Sequence, residues 1–410
     1  METTGGARRN WSELPEDILL TTMSAMEVLD VVRASAVCSS WSSTYATFRR
    51  LRLPSPKQSP CLLYPDDACG PDGMALYSPT ADATSRIRLP HDVVVLAGSA
   101  YGWLFVTDQA ANPYLLNPLT GAQAMLPPAT SFQCVVGSSL DDDGNIVYHT
   151  EDPRLASHGD DVRFFSVAAQ VARSWMYHHV ALSAGGGAPS CVVLVVHERP
   201  KDLHFARPGD ERWSSLSSVG TGFVSAAYND KDGLFYVLQC CGTVHALDLH
   251  GQTSPTARAL IRTWGLVGHL RSLAVTPCGD VLLVGRTYCL LQRLDIYDSG
   301  NAFSVYKLDL SAKKKVKLEG IGDHVLLLGN KSSAVCAPIV EDCPRLRPNC
   351  AYLADFSRAS ILEVIKKRDI AIYWDFESGV MHNIGNMWPL HLLDIPDTAP
   401  APIWFTPSPL

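Results

Sequence analysis

An acidic run in the middle of the sequence has residue types that could bind calcium. Residues 139–145 read Ser-Leu-Asp-Asp-Asp-Gly-Asn. A calcium loop of the EF-hand type needs an acid at its first position and glutamate at its twelfth. Ser139 and Thr150 stand at those positions, and the flanking residues are strand-like rather than helical. The run therefore predicts a glycine-containing hairpin turn and no metal.

The 12 cysteines offer a second possible metal site. Cys336, Cys343 and Cys350 are evenly spaced, but zinc sites usually place neighbouring ligands about two to four residues apart. No Cys-x-x-Cys pair occurs, and Cys134 and Cys191 stand directly before apolar residues, which is typical of buried thiols. We therefore expect structural cysteines and no metal.

The remaining residues that could bind a metal or a phosphate are two sets of histidines, a lysine cluster and a glycine-rich segment. His178 and His179 are adjacent on a strand-like run, so their side chains point to opposite faces and do not readily hold one ion; His245 stands alone on another run. Lysines cluster at residues 313–317, which we assign to a solvated loop. Residues 183–189 are glycine-rich but lack the lysine and the strand–loop–helix context of a phosphate-binding loop. The sequence predicts no catalytic residue and no cofactor.

Length and composition limit the class of protein. With 410 residues, the chain is long enough for two domains or one large repeat fold. Hydrophobic residues make up 47% and charged residues 18%, and the net charge of −7 is mild, so we expect neither a nucleic-acid nor a membrane partner. Residues 1–10 lack the apolar core of a signal peptide, and glycine and serine interrupt the apolar stretch 93–106. We expect a soluble protein of the cytoplasm, the nucleus or both.

The first fifty residues are predicted to form three short helices. Pro15 suits a first helical position, and Leu19, Met23 and Met26 then form an apolar stripe. A break is expected before Asp30, which would cap the next helix. These helices carry more apolar surface than so short a segment buries alone, so the pattern predicts that the unit docks on a partner or packs as a cap on the rest of the chain.

From residue 61 onward, short strand-like runs alternate with turn signals. Runs such as 93–96 and 234–238 recur at a spacing of roughly ten residues, with glycine, asparagine, aspartate and proline between them. We expect roughly 25 to 30 strands, too many for a sandwich of about seven to nine. A propeller of four-stranded blades accommodates that number. The sequence therefore predicts a mainly β protein, a propeller of about six to eight blades preceded by a small helical unit.

The N-terminal pattern resembles the F-box. Leu-Pro at 14–15, an Ile-Leu pair at 18–19 and Val-Cys-Ser-Ser-Trp at 37–41 match the family pattern. The resemblance implies that the unit binds a Skp-type adaptor. Nine residues would face the adaptor or hold the three helices together: Leu14, Pro15, Ile18, Leu19, Val31, Val32, Val37, Cys38 and Trp41. The family often has proline where this chain has Leu29, which we expect to alter the turn between the first two helices and to weaken the interface.

The β region resembles the F-box-associated β-propeller of the KIB type found in plants. Five segments carry the resemblance, at residues 98–104, 115–121, 205–213, 321–324 and 403–408. In that family a tryptophan often precedes the Gly-Asp turn, whereas Lys-Val-Lys stands in its place here. We expect that blade to pack differently.

Together the two resemblances imply a non-catalytic substrate receptor of a Skp–cullin–F-box ubiquitin ligase. The Skp-type adaptor would link the chain to cullin and a RING subunit, and the propeller would bind an unidentified client protein through loops such as 151–161, 183–189 and 252–255. Two alternatives stay open: a propeller enzyme with an N-terminal helical cap, and an F-box scaffold that does not lead to degradation. The predicted domains are an F-box at 9–50, a linker at 51–60, a propeller at 61–390 and a C-terminal tail at 391–410.

Overall fold

The structure, a computed structural model, is mainly β with helices concentrated at the N-terminus. It describes residues 10–51, 59–66, 73–99, 101–152, 163–184, 191–198, 202–251, 255–263, 270–288, 301–329, 331–339, 343, 345–354, 372–383 and 402–408. In these ranges no helix is long and apolar enough to cross a membrane.

Three helices form the N-terminal unit. A 3-10 turn at Trp11–Glu13 leads into α1 at Glu16–Ala25, α2 at Val28–Ala34 and α3 at Ser39–Leu51. Pro15 is the residue that precedes α1, with extended backbone angles (φ −56°, ψ 145°), and is not its first helical residue as predicted. The helices share one small core, formed by Leu19, Met23, Val31, Ala34, Trp41 and Phe48.

The start of the second helix also differs from the prediction. Val28 is the first residue of α2 and Glu27 precedes it, so Asp30 lies inside the first turn and does not cap the helix. There its carboxylate accepts a hydrogen bond of 2.9 Å from the Arg33 guanidinium. Leu29, expected in the turn between helices, is instead a buried helical residue.

The remaining chain forms consecutive groups of mostly antiparallel strands, arranged as the blades of a propeller. The first group contains β1 Cys61–Pro65, β2 Gly73–Ser78 and β3 Ala83–Arg88, and the second contains β4 Val94–Gly98, β5 Leu104–Thr107, β6 Pro113–Leu116 and β7 Gln123–Met125. The third contains β8 Val135–Leu140, β9 Ile146–Asp152 and β10 Arg163–Ala168, and helix α4 Ala169–Met176 follows it. The fourth contains β11 His179–Leu182, β12 Val193–Val196, β13 Leu203–Ala206 and β14 Ser214–Ser215.

The fifth group contains β15 Phe223–Asn229, β16 Leu234–Gln239, β17 Thr243–Asp248 and β18 Thr256–Arg262. The sixth contains β19 Leu270–Val275, β20 Val281–Tyr288, β21 Asn301–Asp309 and β22 Lys314–Leu318. The seventh contains β23 His324–Leu328, β24 Ala334–Pro338, β25 Cys350–Leu353, β26 Ile372–Asp375 and β27 Val380–Asn383. A parallel pairing of β19 with β24 merges the last two groups into one nine-stranded sheet. The predicted mainly β propeller is confirmed.

The final strand, β28 at Ile403–Phe405, closes the ring of blades. It pairs with β1 in the first sheet, which has the order β28-β1-β2-β3. The stretch assigned from sequence to a C-terminal tail at 391–410 thus supplies one strand of a blade, because its apolar residues Trp404 and Phe405 are fully buried between neighbours.

Three segments that carried the sequence resemblance meet at this closure. The backbone N–H of Thr406 donates to the Ser99 carbonyl (3.0 Å), and the Asn117 side-chain amide donates to the Ser408 carbonyl (3.0 Å). At Gly98 the β28 backbone approaches so closely that a Cβ atom would collide with the Trp404 carbonyl oxygen. Segments 98–104, 115–121 and 403–408 therefore form one structural joint.

Candidate docking face of the N-terminal unit

The nine residues predicted at the adaptor interface divide into two sets by burial. Leu19, Val31 and Trp41 lie inside the core of the three-helix unit and are at most 8% exposed. Their side chains hold α1, α2 and α3 together, since each helix contributes one of them. They are unable to contact a partner without unfolding the unit.

The other set reaches the surface. Ile18 is 47% exposed and Val37 65% exposed, and Pro15 is exposed beside them in the sequence pattern. Leu14, Val32 and Cys38 are half-buried; Leu14 and Cys38 pack against the edge of the same core.

Trp11 is a surface residue that the sequence prediction missed. It is 61% exposed, and its backbone carbonyl accepts a hydrogen bond of 3.2 Å from the Trp41 indole N–H. This bond fixes the start of the unit to α3. The signal in the sequence was a large aromatic residue placed just before the Leu-Pro pair, outside the apolar stripe that fills the core.

Exposed large apolar side chains are costly unless a partner covers them. Full burial of such a side chain is worth about 1.5–3 kcal/mol. Contiguous exposed apolar surface on a soluble protein marks an interaction site. Trp11, Ile18 and Val37 lie on one small unit whose own core is already filled by other residues. The unit therefore offers apolar surface for docking.

The helical unit packs on the propeller through α2. Leu29 on α2 is buried in the cluster formed by the first two blades, which includes Leu63, Leu76 and Phe405. Polar contacts flank it: the Ser78 hydroxyl donates to the Glu27 carboxylate (3.3 Å). The Arg33 guanidinium also donates to a serine hydroxyl of β3. Leu29 thus lies in the seam between the helices and the propeller.

The acidic run forms the predicted hairpin turn. It connects β8 to β9, and Gly144 takes a left-handed conformation with φ +80°. The Asp141 carboxylate accepts hydrogen bonds from the backbone N–H groups of Asn145 (2.7 Å) and Asp143 (3.0 Å). These bonds, that from Asn145 first, lower the pKa of Asp141, so the carboxylate acts as a turn-stabilising group.

The histidines singled out from sequence have structural partners. The Nε2 atom of buried His179 donates to the Ala226 carbonyl oxygen (3.0 Å), which links β11 to β15. The ring of His245 hydrogen-bonds to the Gln239 side chain (3.1 Å). These hydrogen bonds give His179 and His245 structural roles.

The lysine cluster was wrongly assigned to a loop. Residues 314–318 form β22, the edge strand of the nine-stranded sheet, and only Lys313 lies in the preceding turn. The Lys315 ammonium lies 4.7 Å from the centre of the Tyr306 ring on the neighbouring strand β21. Lysines on an edge strand discourage pairing with other chains, which accounts for the cluster physically.

The three evenly spaced cysteines pack into two different core clusters. Cys336 belongs to a cluster with Leu326 and Trp374, whereas Cys350 belongs with Cys343 to another. Burial raises the pKa of the Cys336 and Cys350 thiols to about 12.

Most of the loops proposed to bind a client lie outside the described residues. This holds for positions 153–162, 185–190 and 252–254.

A group with metal-ligating side chains went unnoticed in the sequence. His197, Asp202 and His204 converge at the β12–β13 hairpin, and one potential ligand atom from each lies within 4.8 Å of the others. The spacing His-x4-Asp-x-His was a usable signal, because residues two apart in a strand share a face.

A three-helix docking unit seated on a closed β-propeller defines the class of F-box proteins with a propeller for a second domain. The F-box domain family matches residues 11–44, and the KIB1-4 beta-propeller family matches residues 76–374. The chain belongs to this family of plant F-box proteins with a KIB-type propeller.

Curated relatives from Arabidopsis thaliana are similar to this chain along most of their length. F-box protein At5g25290 is 31% identical, over 85% of this chain and 87% of the relative. Putative F-box protein At4g22660 is 24% identical, over 84% of this chain and 86% of the relative. The similarity to these relatives therefore covers both the helical unit and the propeller.

Proposed function

We propose that the chain is the substrate receptor of a Skp–cullin–F-box ubiquitin ligase in the cytoplasm, the nucleus or both. The observation that carries this proposal is the exposed apolar surface on the F-box unit, formed by Trp11, Ile18 and Val37. A Skp-type adaptor would cover these side chains and link the chain to cullin and a RING subunit. The propeller would bind the client.

In this role the chain contributes proximity and no bond-making step. Two binding surfaces on one rigid body raise the effective concentration of a client near the ubiquitin-conjugating enzyme. Holding reacting groups in place converts a bimolecular encounter into an intramolecular one. We infer that the chain is a receptor and not an enzyme.

Co-purification of the full chain with a Skp-type adaptor tests the docking step. Ile18→Asp and Val37→Asp each place a charge into the proposed apolar interface, and we expect each to weaken adaptor binding about tenfold or more. The matched control is Val171→Asp, an exposed valine on α4 of the propeller, at 53% exposure. Equal adaptor binding by all four proteins would overturn the proposal.

The turnover step needs a second experiment. Proximity labelling with the full chain carrying both Ile18→Asp and Val37→Asp should enrich clients, because the receptor binds them without delivering them to the ligase. The half-life of an enriched protein is then compared in cells with the wild-type and the double-variant chain. A longer half-life with the variant supports the receptor role; an unchanged half-life assigns the chain to the scaffold alternative.

A further inference from the structure

We propose that His197, Asp202 and His204 form a buried divalent metal site, best suited to Zn²⁺, at the β12–β13 hairpin. The three residues lie on one face of this hairpin. The backbone N–H of His197 donates to the Asp202 carbonyl (3.1 Å), which places the two residues opposite each other, and His204 follows on the same face two residues later.

The two imidazoles are buried without hydrogen bonds. His197 is 0% exposed and His204 1% exposed, and none of their four ring nitrogens has a hydrogen-bond partner among the described residues. Leaving a buried polar group unsatisfied costs about 1–3 kcal/mol. Metal coordination would give one nitrogen of each ring a strong partner.

The distances suit coordination better than a hydrogen bond. The Asp202 Oδ1 atom lies 3.9 Å from the Nδ1 atoms of both His197 and His204. A hydrogen bond between such atoms requires about 3.2 Å or less. Around a tetrahedral zinc with bonds of about 2.0–2.1 Å, ligand atoms lie ~3.4 Å apart. Each aspartate–histidine separation would shorten by about half an ångström on zinc binding, and the ligand atoms of the group all lie within 4.8 Å of one another.

The donor types suit a metal cation, since two imidazoles and one carboxylate converge at this point. Neutral imidazole and carboxylate are the donor types that zinc accepts.

Aromatic side chains surround the three residues. The Phe132 ring meets both imidazoles edge-on, at centroid distances of 4.5 Å and 5.3 Å, and stacks on Trp213 at 4.9 Å. Such an apolar shell excludes water and strengthens metal–ligand attraction. A zinc ion here would cross-link the two strands of the β12–β13 hairpin beside Phe132 and Trp213.

Zinc analysis of the full chain tests the site. The protein is purified without a histidine tag, stripped with a chelator, incubated with zinc chloride and freed of excess metal. We expect the wild type to retain about one zinc ion more than His204→Phe, which keeps an aromatic ring but no ligand. Asp202→Asn, a milder change, should weaken zinc affinity about tenfold or more. The matched control is His245→Phe on β17, which should retain zinc like the wild type.

Two further readouts separate this site from the cysteines. Added zinc should raise the melting temperature of the wild type and of His245→Phe more than that of Asp202→Asn. Cobalt bound in place of zinc should absorb without a thiolate charge-transfer band, since the ligands contain no sulfur. Equal zinc content in the wild type, Asp202→Asn and His204→Phe would overturn the proposal, and Asp202→Asn alone decides if His204→Phe fails to fold.

Discussion

Ile18 and Leu19 are neighbours with opposite environments. An α-helix completes one turn in about 3.6 residues, so adjacent side chains point in directions about 100° apart. Leu19 therefore enters the core of the three-helix unit while Ile18 remains 47% exposed. The F-box pattern contains both residues for different physical reasons: one builds the unit and the other is free to meet a partner.

Alanine substitution at these two positions should separate stability from binding. Leu19→Ala removes a fully buried side chain and is expected to destabilise the helical unit by about 2–5 kcal/mol. Ile18→Ala should change stability by no more than about 0.5 kcal/mol but weaken adaptor binding about tenfold. Denaturant unfolding and adaptor titration measure the two effects. A large loss of stability in Ile18→Ala would contradict the assignment of that residue to the surface.

The sequence pattern could identify the nine F-box residues as a group but could not divide them into core and surface residues. Spacing along one helix defines an apolar stripe, whereas burial of Leu19, Val31 and Trp41 depends on how three helices pack. Leu29 illustrates the same limit, because its environment is set by blades that are distant in sequence.

At the scale of elements, the least predictable strand is β28. Its three residues lie in a stretch of four between Pro402 and Pro407, which was assigned to the C-terminal tail, since proline interrupts a strand and restricts the residue before it. Its partner, β1, is at the other end of the propeller sequence. Pairing over such a separation leaves no local signal, although the regular spacing of the remaining strands was sufficient to predict a propeller.

Removal of β28 should open the propeller. A chain ending after residue 401 lacks Ile403, Trp404 and Phe405, all buried, and exposes the edge of β1. Their burial contributes on the order of 5 kcal/mol, comparable with the total stability of many domains. We expect a lower melting temperature and aggregation.

A chain ending after Ser408 is the control for this truncation, because it keeps β28 and the bond from Asn117. Equal melting temperatures for the two truncated chains would show that β28 is dispensable for closure.

At the scale of the whole molecule, the seam at Leu29 determines how the two binding surfaces are oriented. Trp11, Ile18 and Val37 remain exposed on the helical unit, while α2 is held to the propeller by buried Leu29 and flanking polar contacts. Leu29 is the second residue of α2 and adds an apolar contact to the seam. A receptor with a fixed seam would present its client to the ligase at a defined distance and angle.

Substitution of Leu29 should loosen this orientation without loss of docking. Leu29→Ala removes a buried side chain from the seam, and we expect a cost of about 2–5 kcal/mol in the association of α2 with the propeller. Hydrogen exchange in α2 and in β3 should accelerate, while adaptor affinity changes less than about twofold, because the docking face lies elsewhere on the unit. Ile18→Ala is the reciprocal control: it should weaken the adaptor and leave exchange at the seam unchanged. If both variants accelerate exchange equally, the seam and the docking face are one cooperative unit and the fixed-orientation hypothesis fails.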